Sequence, residues 1–449
     1  MRKLFGTDGI RGVAGQFPLD KKTVYGIGIA LAHSLRRQTA EPRVLLGMDT
    51  RESGPWIAAT LAHGLHEGGV HVTSAGILPT PGVAYLARTR GFAAGIVISA
   101  SHNPWEDNGI KVFGGDGYKL ADAVELAMEQ EIFERLMQIQ EPDPAAAVAP
   151  QTDDALPAAY IDFLRSQVPN LRLDGKTVVV DCANGAASAI APELFARFGG
   201  KLILTHTTPN GRNINDQCGA LHPEVVAKEV LAHQADLGMT FDGDADRALF
   251  ADDRGQVVNG DAVLLIAARD LQTRKLLATN TVIATTMSNM GLEAALRTDG
   301  IRMLRAAVGD KYVLEEMQRH GAVLGGEQSG HILFLDRSTT GDGLLTALLM
   351  LDILHRSGQT LSWLKRDMKV FPQVILNVRV REKRPMEGLP EVMAAIHDAD
   401  AELEGNGRVV VRYSGTEALA RVMIEAESEQ VMQRHANRIA DAIRAELGV

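Results

Sequence analysis

The stretch GIVISASHNPWEDNGIKVF, Gly95 to Phe113, decides how the chain is read. Its apolar, β-branched run Ile96-Val97-Ile98 predicts a strand buried on both faces. The run then gives way to Ser99-Ala100-Ser101-His102-Asn103-Pro104, small and polar residues where a core strand would continue apolar. Open α/β sheets hold ligands at the carboxyl ends of their strands, so Ser101 falls where a functional hydroxyl belongs. A polar turn capping the next helix is the plain alternative. The Gly-x-Ser-x-Gly elbow of a hydrolase nucleophile is absent.

Similar apolar runs recur at Val44-Leu45-Leu46-Gly47, Val178-Val179-Val180-Asp181 and Val282-Ile283-Ala284, alternating with helical patterns. This is the pattern of an α/β protein whose parallel sheets are covered on both faces. Three of the runs end alike, in SASHNP, in DCANGAA from Asp181 and in TTMSNMG from Thr285, a weak internal repeat. The Pro-, Ala- and Asp-rich segment from Gln140 to Pro157 reads as a linker ahead of the amphipathic AAYIDFLRSQV. Further boundaries are expected near Ala251 to Asp261 and near Lys369 to Pro372. Beyond the second, strand-like and helical stretches predict a small α+β domain, with Met432, Ala436, Ile439, Ala440, Ile443 and Leu447 on one face of its last helix.

The 449 residues are 45% hydrophobic and carry a formal net charge of -10, so no global basic field exists to attract nucleic acid or an anionic membrane. Any anionic ligand must be held by local groups. The two cysteines, Cys182 and Cys218, form no CxxC pattern, and no signal-like or membrane-spanning apolar run occurs, so a cytoplasmic location is expected.

Three further stretches carry chemistry. In TFDGDADRALF, Thr240 to Phe250, the alternating Asp242, Asp244 and Asp246 can converge in an extended loop and offer oxygen ligands to a hard divalent cation. An EF-hand is excluded, because Arg247 and Asp253 stand where its glycine and glutamate belong. Three carboxylates with no neutralising partner would repel one another, which favours a metal, and magnesium suits a site that must keep places for water and a phosphate oxygen. GGEQSGH, Gly325 to His331, crowds polar groups on a turn suited to sugar hydroxyls. RYSGTE, Arg412 to Glu417, combines a Ser-Gly-Thr turn with a guanidinium, and Arg421 follows closely, an arrangement suited to phosphate.

Together with LFGTDGIRG (Leu4 to Gly12), VVDCANGAA (Val179 to Ala187) and NINDQCGALHPE (Asn213 to Glu224), these motifs make the chain resemble the α-D-phosphohexomutase superfamily over nearly its whole length. The resemblance implies three similar α/β domains and a smaller α+β domain around a central cleft, with boundaries expected at 1–155, 156–253, 254–369 and 370–449. It implies that Ser101 carries a phosphoryl group as phosphoserine. Mg2+ would be held by Ser101, Asp242, Asp244 and Asp246. Lys111 and His331 would serve acid–base and charge-stabilising roles, with Arg247 and Arg11 near the transferring group. Glu327 and Ser329 would meet the sugar, while Arg412, Ser414, Gly415, Thr416 and Arg421 would grip the phosphate that is not reacting. FGTDGIRG and Gln328-Ser329 are most similar to members acting on glucosamine phosphates, which implies a hexosamine phosphate as substrate, a role in peptidoglycan-precursor amino sugars, no nucleic-acid or membrane partner, and room for a homodimer. Mannose or glucose phosphates are the alternative substrates, and a non-catalytic sugar-phosphate-binding protein is the alternative from another class. Ala418 departs from the proline that relatives commonly have after the RYSGTE glutamate.

Overall fold

Ile96, Val97 and Ile98 are fully buried in the strand Ala94–Ile98, where branched side chains pack well on a pleated surface. The computed structural model describes residues 4–6, 8–136, 149–404, 407–414 and 418–448. They divide into two compact units, Met1–Thr285 with Leu304–Lys365, and Thr286–Met303 with Arg366–Val449.

In the first unit the strand is central in a seven-stranded sheet. The order is Phe5–Gly6, Gly9–Val13, Asp107–Gly114, Ala94–Ile98, Arg43–Met48, His71–Ile77 and Gln151–Thr152. Arg43–Met48 lies parallel to Ala94–Ile98, but Asp107–Gly114 lies antiparallel to it. The alternative of a turn capping a helix is thereby excluded, and a hairpin follows the serine. Two successive turns reverse the chain, the Asn103 N–H donating to the Ala100 carbonyl and the Asp107 N–H to the Pro104 carbonyl. Helices Lys21–Arg36 and Gly54–Glu67 cover one face, and Leu31, Leu61 and Leu65 join Val44, Leu46 and Ile96 in one core. Each fully buried leucine there contributes roughly 1.5–3 kcal/mol.

A five-stranded sheet runs Val257–Val258, Ala248–Ala251, Leu237–Phe241, Thr177–Asp181, Lys201–Thr205. A four-stranded sheet runs Arg302–Ala306, Thr281–Thr285, Leu324–Gly326, Ile332–Phe334. In both, as in the first, a parallel strand doubles back into an antiparallel partner, at Phe241 to Ala248 and at Gly326 to Ile332. Part of the expected linker is ordered: Gln151 and Thr152 pair with Thr73 and Ser74, and Leu156 is buried in the helix Ala155–Ser166. Residues 140–148 lie outside the described residues.

In the second unit Gln373–Arg379, Leu419–Ala426 and Gly407–Tyr413 form an antiparallel sheet under the helix Glu429–Leu447, which buries the six apolar residues named above. The Ser428 hydroxyl caps that helix by accepting from the Val431 N–H, worth about 1 kcal/mol. Cys182 and Cys218 are buried free thiols, and among the described residues no helix is long and apolar enough to cross a membrane.

Candidate functional site

Ser101 sits just past the carboxyl end of its strand with φ at 54°, a left-handed conformation that a serine adopts only when its surroundings hold it there. Its carbonyl accepts from Arg51 Nη2 at 2.9 Å and from Asn215 Nδ2 at 3.0 Å, and its N–H donates to Ser99 Oγ at 2.9 Å. The Ser99 hydroxyl in turn donates to Asp49 at 2.6 Å. With the backbone so held, the buried Oγ donates to Asp242 Oδ2 at 2.5 Å and lies 3.2 Å from His102 Nδ1. Burial, and then Arg247 and Arg11, push the His102 imidazole down to about 4. It is neutral near pH 7, and the same burial and charges make it a weak base.

Asp242, Asp244 and Asp246 lie in the second hairpin and each offers one oxygen, all within 4.8 Å of one another. They converge through a tight turn rather than an extended loop, because the Ala245 N–H donates to the Asp242 carbonyl at 3.0 Å and Ala245 has φ at 54°. Gly243 between them admits no side chain. A Cβ there would lie 2.4 Å from the Ser101 carbonyl oxygen, so glycine is what lets the two hairpins touch.

The cluster also has the neutralising partner that was not expected. Lys111 is placed by the pairing of Val97 with Lys111 across the first hairpin, and its ammonium lies 2.8 Å from Asp244, 3.4 Å from Asp246 and 3.0 Å from Asp8. Burial alone would lower the Lys111 pKa, but these carboxylates outweigh it and hold it well above the usual range. Burial, then Asp246 and Asp244, push Asp242 well above the carboxylate range. Lys111 and His331 overcome burial and hold Asp246 below it. Asp244 Oδ1 and Asp246 Oδ1 are buried without a hydrogen-bond partner. Two such oxygens beside a third carboxylate fit a hard divalent cation.

Arg11 faces Gly109 across the edge of the first sheet and contacts Asp8. The Arg247 backbone N–H donates to Asp242 at 3.1 Å. His331 closes the third hairpin 3.5 Å from Asp246, and although burial opposes it, Asp246 raises the imidazole to about 9. In the same turn Glu327 accepts from the Gly309 N–H at 3.0 Å and from Ser329 at 3.3 Å. The Ala248 N–H donates to the Gly330 carbonyl at 3.1 Å, which fastens the second hairpin to the third. Ser101, Lys111, Arg11, Arg247, His331, Glu327, Ser329 and the three aspartates thus all belong to the first unit.

Arg412, Ser414 and Arg421 belong to the second. Arg412 stands directly opposite Arg421 on neighbouring strands, and both line a pocket of about 360 Å³ with Asn377 and Met423. Burial, then the Arg421 charge, lower the Arg412 pKa. Two crowded guanidiniums are an environment that an anion relieves. The Lys383 ammonium donates to the Ser414 carbonyl at 2.6 Å. Gly415 and Thr416 lie outside the described residues.

Four sequence profiles match in order: Phosphoglucomutase/phosphomannomutase, alpha/beta/alpha domain I, over residues 2–138, domain II over 158–255, domain III over 259–371, and the C-terminal domain over 375–442. The chain belongs to the phosphoglucomutase/phosphomannomutase family. A phosphoglucosamine mutase of Koribacter versatilis is 59% identical over all of this chain and 98% of its own length, and one of Solibacter usitatus is 53% identical over 100% and 99%. A crystal structure of a phosphoglucomutase/phosphomannomutase family protein from Burkholderia thailandensis superposes with a TM-score of 0.78 at 26% identity, covering 100% of both chains.

Several residues of this phosphohexomutase site were not singled out in the sequence. Asp49 and Arg51 directly follow the strand Arg43–Met48, at the same end of the sheet as Ser101, and that position was the available signal. His102 and Asn215 sit inside motifs quoted for the resemblance but carried no expected role. Thr80 donates to Asp244 at 2.5 Å and has no sequence cue at all. A second group with metal-ligand chemistry, Asp181, His206 and Cys218, is already engaged. Asp181 accepts from His206, Ala183, Gly219 and Thr240, all at 2.9–3.0 Å, and so ties the second sheet to the loop that carries Asn215.

Proposed function

We propose that the chain is a phosphoglucosamine mutase, interconverting glucosamine 6-phosphate and glucosamine 1-phosphate in the cytoplasm through phosphorylated Ser101 and a hexosamine bisphosphate. The observation that carries this is the buried Ser101 hydroxyl, 2.5 Å from Asp242 in a cluster of three carboxylates, in a family whose members shift phosphoryl groups on hexoses. Asp242, Asp244 and Asp246 would hold Mg2+ together with the Ser101 phosphate. When bound, the ion supplies charge neutralisation in a loose transition state, where positioning and electrostatics dominate.

The chain's own residues do the rest. Ser101 gives its phosphoryl to one hydroxyl of the sugar monophosphate and later receives the other phosphate, so its Oγ loses a proton on the second transfer. The acceptors within reach of that proton are Asp242 Oδ2, 2.5 Å away, and His102 Nδ1, 3.2 Å away. Lys111, held as a cation, neutralises charge on the transferring group, and Arg11 and Arg247 extend that field. His331, charged near neutral pH, can give a proton to a leaving oxygen. Glu327 and Ser329 orient the sugar, and Arg412, Ser414, Gly415, Thr416 and Arg421 grip a phosphate that is not reacting.

The test is a panel of glucosamine, N-acetylglucosamine, glucose and mannose 6-phosphates assayed with and without chelator. Glucosamine 6-phosphate should have the highest kcat/KM, EDTA should abolish turnover and magnesium restore it, and a folded Ser101→Ala protein should be inactive. A higher kcat/KM for glucose or mannose phosphate would reassign the substrate. Turnover by Ser101→Ala would remove the mechanism.

A further inference from the structure

Beyond the residues assigned above, the charges around the Ser101 cluster close into a ring. Lys111 Nζ meets Asp8 Oδ2 at 3.0 Å, and the other oxygen of Asp8 meets Lys119 Nζ. Lys119 Nζ reaches Asp310 Oδ2 at 2.5 Å, and that oxygen lies 3.9 Å from His331 Nε2. The opposite nitrogen of His331 lies 3.5 Å from Asp246 Oδ1, and Asp246 Oδ2 returns to Lys111 at 3.4 Å. Six groups alternate between base and acid around the circuit. Lys111 and His331 sit on either side of Asp246 along one arc, and Asp8, Lys119 and Asp310 form the other.

We propose that Lys119 is a positioning residue for the reaction, holding Lys111 and His331 in register by bridging Asp8 and Asp310. Its place in the fold suits this. Lys119 follows the strand Asp107–Gly114, which carries Lys111, and pairs back onto Phe113. Asp310 opens the helix Asp310–His320, which packs beside the strand leading to the His331 turn. The bridge therefore joins the support of one proton-handling group to that of the other.

Removing Lys119 leaves two carboxylates without their shared cation. The Asp310 oxygen then turns to His331 and draws the imidazole from Asp246, while Asp8 pulls harder on Lys111 and Arg11. Both shifts displace groups around Ser101, where a misplacement of about 1 Å can cost on the order of a hundredfold in rate. Substrate binding, which rests on other residues, changes little.

A cavity of about 460 Å³ abuts the bridge, lined by Lys119, Asp310, Phe113, Leu120, Leu314 and Leu333 among others. It opens a direct test, because a small amine can enter the space that a truncated lysine leaves. Lys119→Ala should turn over glucosamine 6-phosphate with kcat lowered about 10- to 100-fold, KM within about threefold of wild type and a lower melting temperature but a still cooperative unfolding transition. Lys119→Arg, which can span two carboxylates, should recover much of the rate. Propylammonium chloride should restore Lys119→Ala in a saturable way, whereas tetramethylammonium, with the same charge and no N–H, should not. The idea is overturned if Lys119→Ala matches wild type, if its loss lies wholly in KM, or if neither arginine nor propylammonium restores it. This inference rests on the mutase activity proposed above, and wild type run in parallel separates the two: an inactive wild type refutes the activity, and an active wild type with equally active Lys119→Ala refutes the bridge alone.

Discussion

Replacing Arg51 with lysine should loosen the Ser101 turn without unfolding the protein. The Arg51 side chain is fully buried and uses all five of its N–H groups: Nε on Asp49, Nη1 on the carbonyls of Pro104 and Asp107, and Nη2 on those of Ser101 and Asn103. Lysine keeps the charge, so Asp49 is not stranded, which would cost about 3–5 kcal/mol. It brings three N–H groups for five acceptors, so at least two bonds to the turn are lost, and Asn215 remains as a donor only to the carbonyls of Ser101 and Asn103. At about 1–3 kcal/mol each, the local cost is roughly 2–6 kcal/mol. Hydrogen exchange of the peptide covering 99–109 reads this directly, since about 2 kcal/mol, the lower bound, corresponds to roughly thirtyfold faster exchange from the locally open state. Turnover should fall with it, because Ser101 Oγ is aimed by this backbone. Exchange of that peptide and kcat both equal to wild type would show that Arg51 does not shape the turn.

Gly341 lies against the His331 ring, where an added Cβ would fall 2.5 Å from Cε1 and Nε2, so Gly341→Ala should push the imidazole aside. The variant should melt close to wild type but lose at least about tenfold in kcat, and unimpaired turnover would refute the contact. Burial lifts the Asp342 carboxyl to about 7, so between the unfolded-state pKa near 3.9 and about 7 the folded state binds more protons and stability falls as pH rises, by roughly 4 kcal/mol in all. Asp342→Asn keeps the helix cap on the Leu345 N–H, and its advantage over wild type in urea midpoint should grow from about pH 4.5 to 7.5; a pH-independent difference would count against it. Arg412→Ala should weaken sugar-phosphate binding by about 10- to 100-fold, a charged hydrogen bond being worth about 1.5–3 kcal/mol, and unchanged KM and Kd would rule out the phosphate grip.

What could be read from the sequence was whatever repeats at short range. The strand before Ser101 and the buried face of the last helix are local patterns that form as expected, and Asp242, Asp244 and Asp246 converge as their spacing suggests, though through a tight turn rather than an extended loop. After Ser101 the polar residues suit a turn before a helix as well as a turn into a hairpin. Tertiary pairing with Ala94–Ile98 decides between them. The Lys111 contact to Asp244 and Asp246 spans more than 130 residues, and no spacing rule reaches that far. Arg51 was invisible for a related reason. A lone arginine after a strand looks like surface charge until four carbonyls from residues 101–107 are seen to converge on it beside Asp49.

The shape of the Ser101 turn is borrowed from outside the turn. Ser101 keeps its left-handed φ with its carbonyl pinned by an arginine fifty residues earlier and an asparagine more than a hundred residues later. A synthetic peptide copying SASHNP, or the same six residues grafted onto another scaffold, would therefore relax to an ordinary turn and lose its aim. Directed evolution of this loop faces the same constraint: libraries that vary it alone will return mostly inactive clones, and productive changes should arrive with compensating ones at Arg51 or Asn215.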